Sequence, residues 1–209
     1  YYGWDVLAIS EEGPTAEVLD TGFSQDEYGS VNYAFIAQNP SPDQALQYVQ
    51  YQVTALDQNG NVLATSASSI SLMFPLEKMG FSSIISVPDN TEVARIEVLF
   101  APTPPDQYDS WELEKHGLKA NPLSAESPNY FDDEYNPKVT GIVKNSYDKE
   151  VYANIVVVAY NASGAIIGGG YTFVTIPAGG QAAIEVYMRV SEKPDRIEVY
   201  PSLASPPSE

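Results

Sequence analysis

The chain has 209 residues, with 28 acidic and 10 basic side chains, one histidine and no cysteine, and its formal net charge is −18. Nucleic-acid binding needs a basic surface that releases counterions from phosphates, and ten basic side chains among 28 acidic ones do not supply it. The composition therefore argues against nucleic-acid binding. The absence of cysteine excludes thiolate metal sites, iron–sulfur clusters, disulfides and cysteine nucleophiles. No apolar run approaches the roughly 18 to 20 residues of a membrane-spanning helix.

Alternating apolar and polar residues predict β-strands in the first half of the chain. Residues 49–55 place valine, tyrosine and alanine between glutamine and threonine, and residues 94–100 show the same period of two. This period puts one face on a core and the other towards water, as in antiparallel sheets. Between these strands, residues 57–61 predict a hairpin, because Gly60 supplies a positive φ and Asp57 can bond the turn backbone.

A proline-rich stretch follows at residues 101–106. Proline cannot continue a helix or a central strand and favours extended geometry, so this stretch predicts a short, stiff spacer. We therefore expect a first domain at 1–100, a linker at 101–110, a second domain at 111–201 and a flexible tail at 202–209.

The second half repeats these patterns. Residues 184–190 alternate with a period of two, and residues 161–164 predict another glycine-containing hairpin. Residues 151–159 are apolar at almost every position, which predicts a central strand covered on both faces.

Four ordered landmarks indicate an internal repeat. They are the pairs Asn39 and Asn145, Gly60 and Gly164, Pro75 and Pro177, and the tetrapeptide Arg-Ile-Glu-Val at 95–98 and 196–199. The spacing within the pairs decreases by only a few residues along the chain, as differences in loop length produce. Short strands between turns, with no long helical period, predict an all-β chain of two tandem β-sandwiches.

Two motifs of these repeats resemble a known family. The first is Gly-x-Val-x-Asn at 141–145, with its counterpart at 34–39 that has alanine for glycine. The second is an aromatic-Asp-x-x-Gly hairpin, in which Asn161 replaces the aspartate, whereas the first copy keeps Asp57 and lacks the aromatic residue. The chain resembles the FxLYD-type domain, an immunoglobulin-like module of bacterial secreted proteins and lipoproteins, often found in tandem. The resemblance covers roughly residues 28–100 and 135–200. It implies two immunoglobulin-like domains and export, and it carries no catalytic residue.

Catalytic chemistry has few candidates in this sequence. His116 is the only side chain with an ordinary pKa near neutrality, so it is the obvious general base, with Asp109 or a serine as partner. It lies beside Lys115 and Lys119 in a polar connecting segment, which favours a solvated linker residue. No segment resembles the Gly-x-Ser-x-Gly motif of serine hydrolases. Paired carboxylates could serve glycoside hydrolysis, but among 28 acidic residues such pairs are expected from acid density alone. We expect no catalytic residue and no enzyme activity.

Residues 132–136 are the strongest metal candidate. Asp132, Asp133, Glu134 and Asn136 offer hard oxygen ligands of the kind Ca²⁺ takes. Their spacing does not match an EF-hand, and neighbouring strand residues point to opposite faces, so a solvated acidic loop is favoured over a calcium site. Asp57, Asn59 and Asn61 form a similar cluster that their turn role explains. We expect no metal site and no cofactor.

Many aromatic residues lie outside the strongest strands. Such residues suit glycan stacking and protein hot spots, but we favour a role in sealing the joint between the domains and covering sheet edges. They are Tyr1, Tyr2, Trp4, Tyr108, Trp111, Tyr130, Phe131 and Tyr135. A further pair, Tyr147 and Tyr152, is expected on an exposed strand flank.

These observations predict a non-catalytic, extracellular or cell-surface bacterial protein, a surface interaction or spacer module with a possible lipid anchor upstream of Tyr1. The alternative is a surface protein that binds a glycan or peptide through exposed aromatic clusters. A glycan binder is expected to expose two or more aromatic faces in one groove, with amide or acid groups at its rim.

Overall fold

The computed structural model describes residues 15–102, 115, 117–133 and 135–205. Regular structure in this part of the chain consists almost entirely of β-strands. They are β1 (Glu17–Gln25), β2 (Ser30–Gln38), β3 (Leu46–Leu56), β4 (Val62–Met73), β5 (Lys78–Ser86), β6 (Arg95–Phe100), β7 (Leu123–Phe131), β8 (Lys138–Asn145), β9 (Val151–Tyr160), β10 (Ile166–Ile176), β11 (Gln181–Tyr187), β12 (Arg189–Val190) and β13 (Arg196–Leu203). The predicted all-β class is confirmed.

The strands form four antiparallel sheets, two in each half of the chain. The first half has an inner sheet in the order β1-β2-β5 and an outer sheet in the order β4-β3-β6. The second half has an outer sheet, β11-β8-β7, and an inner sheet, β12-β10-β9-β13. Apart from the short β12, the two halves use the same strand order. This shared order is what an internal repeat predicts.

Each half has its own apolar core between its two sheets, as alternation predicts. Val53 and Ala55 of β3 are buried in the first core with Phe35 of β2. Val143 of β8 and Val157 of β9 are buried in the second. Each half is therefore a β-sandwich.

The landmark asparagines are structurally equivalent. Asn39 and Asn145 are 0% and 2% exposed, and each side-chain amide donates to three backbone carbonyl oxygens. The Oδ1 of Asn39 accepts from the N–H of Ser41 at 3.0 Å, and that of Asn145 accepts from Tyr147 at 2.9 Å. Each asparagine joins the end of one strand to two neighbouring loops.

The hydrogen bonds correct one pairing of the repeat. Asn39 donates to the Phe74 carbonyl and Asn145 to the Pro177 carbonyl, and each carbonyl also opens the same tight turn. Phe74, not Pro75, is therefore the counterpart of Pro177, because the backbone turn and not the proline ring is the shared feature.

The two hairpin turns are equally alike. Asp57 Oδ1 accepts from the N–H groups of Asn59 and Asn61, and Asn161 Oδ1 accepts from those of Ser163 and Ala165. Gly60 and Gly164 have φ of 80° and 85°, as the turns require. The prediction of two glycine hairpins is confirmed.

The two inner sheets pack face to face. Ala34 and Ile36 of β2 are buried against Val156 and Val158 of β9, with Tyr160 and Ile166 completing the cluster. This packing covers the second face of β9, whose first face lies in its own core. The predicted burial on both faces is confirmed for residues 155–159, where the first sandwich supplies the cover, but it is wrong for Tyr152, which is exposed near the start of the strand.

Close backbone approach makes this joint tight. A Cβ on Gly80 of β5 would lie 2.6 Å from the Tyr200 ring, and one on Gly22 of β1 would lie 2.1 Å from the Ile166 carbonyl oxygen. Tyr200 and Tyr160 both hydrogen-bond to the Glu198 carboxylate, and the Arg196 guanidinium lies 3.8 Å from the Tyr160 ring centre.

The last strand runs beyond the predicted domain end at residue 201. Ser202 and Leu203 pair with Asn154 and Ala153 of β9 and are both buried, because the Leu203 side chain packs in the second core. The prediction of a flexible tail from residue 202 is therefore wrong for Ser202 and Leu203, and residues 206–209 lie outside the described residues. Most of the predicted linker, residues 103–110, lies outside the described residues. No helix in the described part of the chain is long and apolar enough to span a membrane.

Candidate functional site: a groove between the sandwiches

The inner sheets are in contact along only part of their facing surfaces. At one end of β9, Val156 and Val158 are buried against the first sandwich. At the other end of the same face, Tyr152 is exposed. A cavity of about 280 Å³ lies beside the packed region. Its walls come from β3, β4 and β5 on one side and from β9, β10 and β13 on the other. We call this cavity, together with its continuation described below, the groove.

The lining of this first cavity is polar but uncharged. Six serines line it, at positions 68, 69, 71, 82, 83 and 202, and none of the described residues around it is acidic or basic. Charged residues make up 18% of the chain. An uncharged, hydroxyl-rich lining is therefore an unusual patch on this acidic protein.

Three aromatic side chains form a cluster on the β9–β10 wall. Phe173 stacks on Tyr152 with ring centres 5.5 Å apart, and Tyr171 meets Phe173 edge-on at 6.0 Å. Their exposures are 47%, 52% and 51% for Phe173, Tyr152 and Tyr171. The cluster exists because residues 171 and 173 share a face of β10, and Thr175 of that face pairs with Tyr152.

The groove also contains an unpaired acceptor. Asn154 pairs across the sheet with Phe173, and its Oδ1 is buried without a hydrogen-bond partner in the protein. Buried polar atoms are nearly always hydrogen-bonded in native proteins, so such an exception needs an explanation.

A second cavity continues the groove past Tyr171. It measures about 220 Å³ and shares Ser82, Ser83 and Tyr171 with the first cavity. Asn32 of β2 lies in its wall, is 8% exposed and also has an unpartnered Oδ1. Arg189 adds a cationic donor. Each side of Tyr171 therefore has one buried amide oxygen without a donor.

Two phenols near the groove stay neutral. Burial raises the pKa of Tyr33 to about 12, and it raises the pKa of Tyr51 in spite of a hydrogen bond with Ser68. The groove thus offers hydroxyls, amide oxygens, aromatic rings and the Arg189 guanidinium, whose chemistry is hydrogen bonding and stacking.

The catalytic candidates of the sequence, His116 and Asp109, lie outside the described residues. The metal candidates are placed except for Glu134, which also lies outside them. Asp132 is 3.3 Å from the Lys193 ammonium. Asp133 accepts from the N–H groups of Tyr135 and Asn136, and these bonds lower its pKa. The described part of the chain contains no group of three or more acids or histidines that could hold a metal ion.

Three of the aromatic residues expected at the joint are described by the structure, and none of them lies there. Tyr130 packs against the second core, and Phe131 and Tyr135 are exposed. The joint instead uses Tyr160 and Tyr200. Five further members of that set lie outside the described residues: Tyr1, Tyr2, Trp4, Tyr108 and Trp111.

Of the remaining pair, Tyr152 is exposed on its strand flank as predicted, whereas Tyr147 is buried. Sequence reasoning missed Tyr171 and Phe173. Their alternation with Thr172 and Val174 was the available signal, since it places both rings on one face of a strand.

No protein-family model and no curated protein matches the sequence. Solved structures share only a distant likeness. A β-glucosidase from Streptomyces venezuelae is 8% identical with a TM-score of 0.29, and the match covers 85% of this chain and 42% of that one. A red sea bream transglutaminase is 8% identical with a TM-score of 0.25, covering 90% and 31%. A Bacteroides uniformis β-glucuronidase is 12% identical with a TM-score of 0.23, covering 85% and 22%. This chain thus spans less than half the length of these proteins, and likeness at this level carries no functional argument.

Proposed function

We propose that this chain is a non-catalytic, extracellular bacterial protein that acts as a rigid surface interaction module. The observation that carries the proposal is the buried joint between the inner sheets, where Ala34 and Ile36 pack on Val156 and Val158. Because this joint fixes one sandwich against the other, the groove beside it keeps a constant shape. A preformed site is what a binding module requires.

Export is supported by the resemblance to tandem FxLYD-type, immunoglobulin-like domains of secreted proteins and lipoproteins. The two sandwiches repeat one strand order, as a tandem pair does. The net charge of −18 keeps such a surface soluble by self-repulsion. The chain is then held at the cell surface, with a lipid anchor upstream of Tyr1 as the simplest attachment.

Localisation tests the first part of the proposal. The full-length protein is followed in intact cells of its source bacterium with an antibody against this chain, with and without external protease. We expect the chain to fractionate with the cell envelope or medium and to be cleaved in intact cells. Recovery in the cytoplasmic fraction, protected from protease, would contradict the proposal.

Rigidity tests the second part. Small-angle X-ray scattering of the chain is compared with the profile calculated for the two packed sandwiches. One rigid body is expected to fit, whereas a profile that requires independently moving halves would show that the groove has no fixed shape. A simple spacer is the second candidate function, because the same joint would also hold a partner at a fixed distance; a spacer does not need the groove.

A further inference from the structure

The geometry points to a neutral glycan as the ligand of the groove. We infer that Tyr171 and Phe173 stack on sugar rings while the Oδ1 atoms of Asn154 and Asn32 accept hydrogen bonds from sugar hydroxyls. This inference rests on the proposed function insofar as an extracellular module meets free glycans. It adds the chemical class of the ligand and the residues that hold it.

The first argument is charge. No described residue that lines the larger cavity carries a charge, on a chain with 28 acids. A cationic peptide or a metal ion would be expected to find carboxylates in its site, and an anionic ligand would find cations there. In the second cavity Arg189 is the one charged residue of the described lining, so the charge argument applies to the larger cavity, where an uncharged ligand leaves no ion unpaired.

The second argument is the pair of unsatisfied acceptors. The Asn154 and Asn32 side-chain oxygens have no donor from the protein and are closed off from solvent, so a turn of each amide about its Cβ–Cγ bond brings the oxygen to a ligand in the cavity. A ligand rich in hydroxyl groups supplies donors to both, and it can also accept from the surrounding serine hydroxyls. Hydrocarbon ligands leave these oxygens unpaired, so the amides favour a polyhydroxylated ligand over an apolar one.

The third argument is the aromatic cluster. A sugar ring has an apolar C–H face and a hydroxylated edge, so it stacks on an aromatic ring while its hydroxyls reach polar neighbours. Tyr171 and Phe173 are about half exposed and line the cavity that contains Asn154. Stacking surface and acceptor therefore lie within one site.

The fourth argument is size. The two cavities of about 280 and 220 Å³ meet at Ser82, Ser83 and Tyr171. Each is slightly below the roughly 300 to 1,000 Å³ typical of small-molecule sites. Two small subsites in line suit consecutive units of an oligosaccharide that crosses Tyr171. A folded partner would need a broad surface instead.

The test measures binding of four neutral oligosaccharides to the full chain by isothermal titration calorimetry: hexamers of α-1,4-glucose, β-1,4-glucose, β-1,4-xylose and N-acetylglucosamine, each at about 1 mM. A mixed pool of synthetic hexapeptides is the competing probe. Variants Y171A and F173A remove the rings, N154A removes one acceptor, and Y135A removes an exposed tyrosine away from the groove as the matched control. Thermal melts establish that each variant is folded.

We expect at least one oligosaccharide to bind, with about a tenfold weaker Kd for each groove variant and an unchanged Kd for Y135A. Y171F is expected to retain most of the affinity, because it keeps the ring. The inference is overturned if no oligosaccharide binds, if binding survives Y171A and F173A together, or if only the peptide pool binds. Localisation and scattering are independent of these titrations, so failure here leaves the proposed function testable on its own.

Discussion

The Glu77 carboxylate and the Asn121 side-chain amide join the two sandwiches directly. Asn121 Nδ2 donates to Glu77 Oε1 at 2.6 Å and also to the Pro201 carbonyl at 2.7 Å. The other Glu77 oxygen accepts from the N–H of Phe74 at 2.7 Å. Phe74 itself packs into the core of the second sandwich. A carboxylate from the first half thus lies where the two halves meet.

This environment predicts a pH-dependent stability. Burial raises the pKa of Glu77 from 4.5 to about 7, although its two hydrogen bonds act in the opposite direction. The folded chain therefore holds a proton that the unfolded chain has lost. The resulting stabilisation is fully present below pH 4.5 and is lost as the pH rises through about 7. Its upper limit is about 3 kcal/mol.

Urea unfolding of the wild type and of E77Q at a series of pH values measures this effect. The other carboxylates are common to both proteins, so the difference between the two isolates Glu77. We expect the wild type to lose stability relative to E77Q as the pH rises from 4.5 to 7.5. Parallel curves for the two proteins would show that Glu77 titrates normally.

Replacing either buried asparagine is expected to cause a large loss of stability, of similar size in the two sandwiches. N39A and N145A each remove a side chain that donates to three carbonyls and accepts from one N–H. Loss of these bonds leaves buried backbone groups unpaired, so each variant is expected to lose about 2 to 4 kcal/mol in denaturant unfolding.

Asn129 is the matched control, because it lies exposed on β7. N129A is expected to change stability by less than about 0.5 kcal/mol. If N39A or N145A lowers the free energy of unfolding as little as this control, the hydrogen bonds of that asparagine do not contribute to stability.

The close approach of Gly80 to the opposite inner sheet leads to a prediction about the joint between the sandwiches. A methyl group at this position would meet the Tyr200 ring at 2.6 Å and Val158 Cγ2 at 3.1 Å. Because these atoms belong to the opposite inner sheet, G80A is expected to force the sheets apart and cost about 1 to 3 kcal/mol. Scattering should then show a larger radius of gyration.

A67V serves as control for G80A, since Ala67 is exposed on β4 and the change also adds bulk to a strand. It is expected to leave the scattering profile unchanged. Equal profiles for G80A and the wild type would mean that the joint accommodates the methyl group without moving.

Replacing Gly164 is expected to lower the stability of the fold through backbone conformation alone. Its φ is 85°, and no atom lies within 4 Å of the position that a Cβ would take there. G164A is therefore expected to lose about 1 kcal/mol from backbone strain alone. G164N should recover part of this loss, because asparagine tolerates the left-handed region. Thermal melts of the three proteins measure the order, and a loss for G164N larger than that for G164A would refute the explanation.

Much of the fold was predictable because its causes are local. The period of two along residues 49–55 and 184–190 is set by which face of a strand meets a core. Gly60 and Gly164 mark hairpins because their backbone conformation excludes most other residues. The repeat was visible because both copies keep the asparagine, Asn39 and Asn145, although the hydrogen bonds that explain it reach carbonyls more than thirty residues away along the chain.

The candidate site was predictable only in part. Tyr152 was expected on an exposed strand flank, but Tyr171 and Phe173 were missed and most of the lining is serine, which has no distinctive pattern in sequence. Nor does the sequence show that the Asn154 and Asn32 oxygens lack donors, since that depends on every atom around them.

Two tandem sandwiches, with their strands and turns, follow from the amino-acid order through periodicity and turn chemistry that act within a few residues. The packing of the inner sheets, the half-buried position of Glu77 and the uncharged lining of the larger cavity became visible only in the folded chain. These features depend on contacts such as Ile36 with Val158 and Gly80 with Tyr200. The partners in those contacts lie more than a hundred residues apart along the chain. Desolvation and unpaired hydrogen-bonding groups are properties of the assembled surfaces, and no local pattern records them.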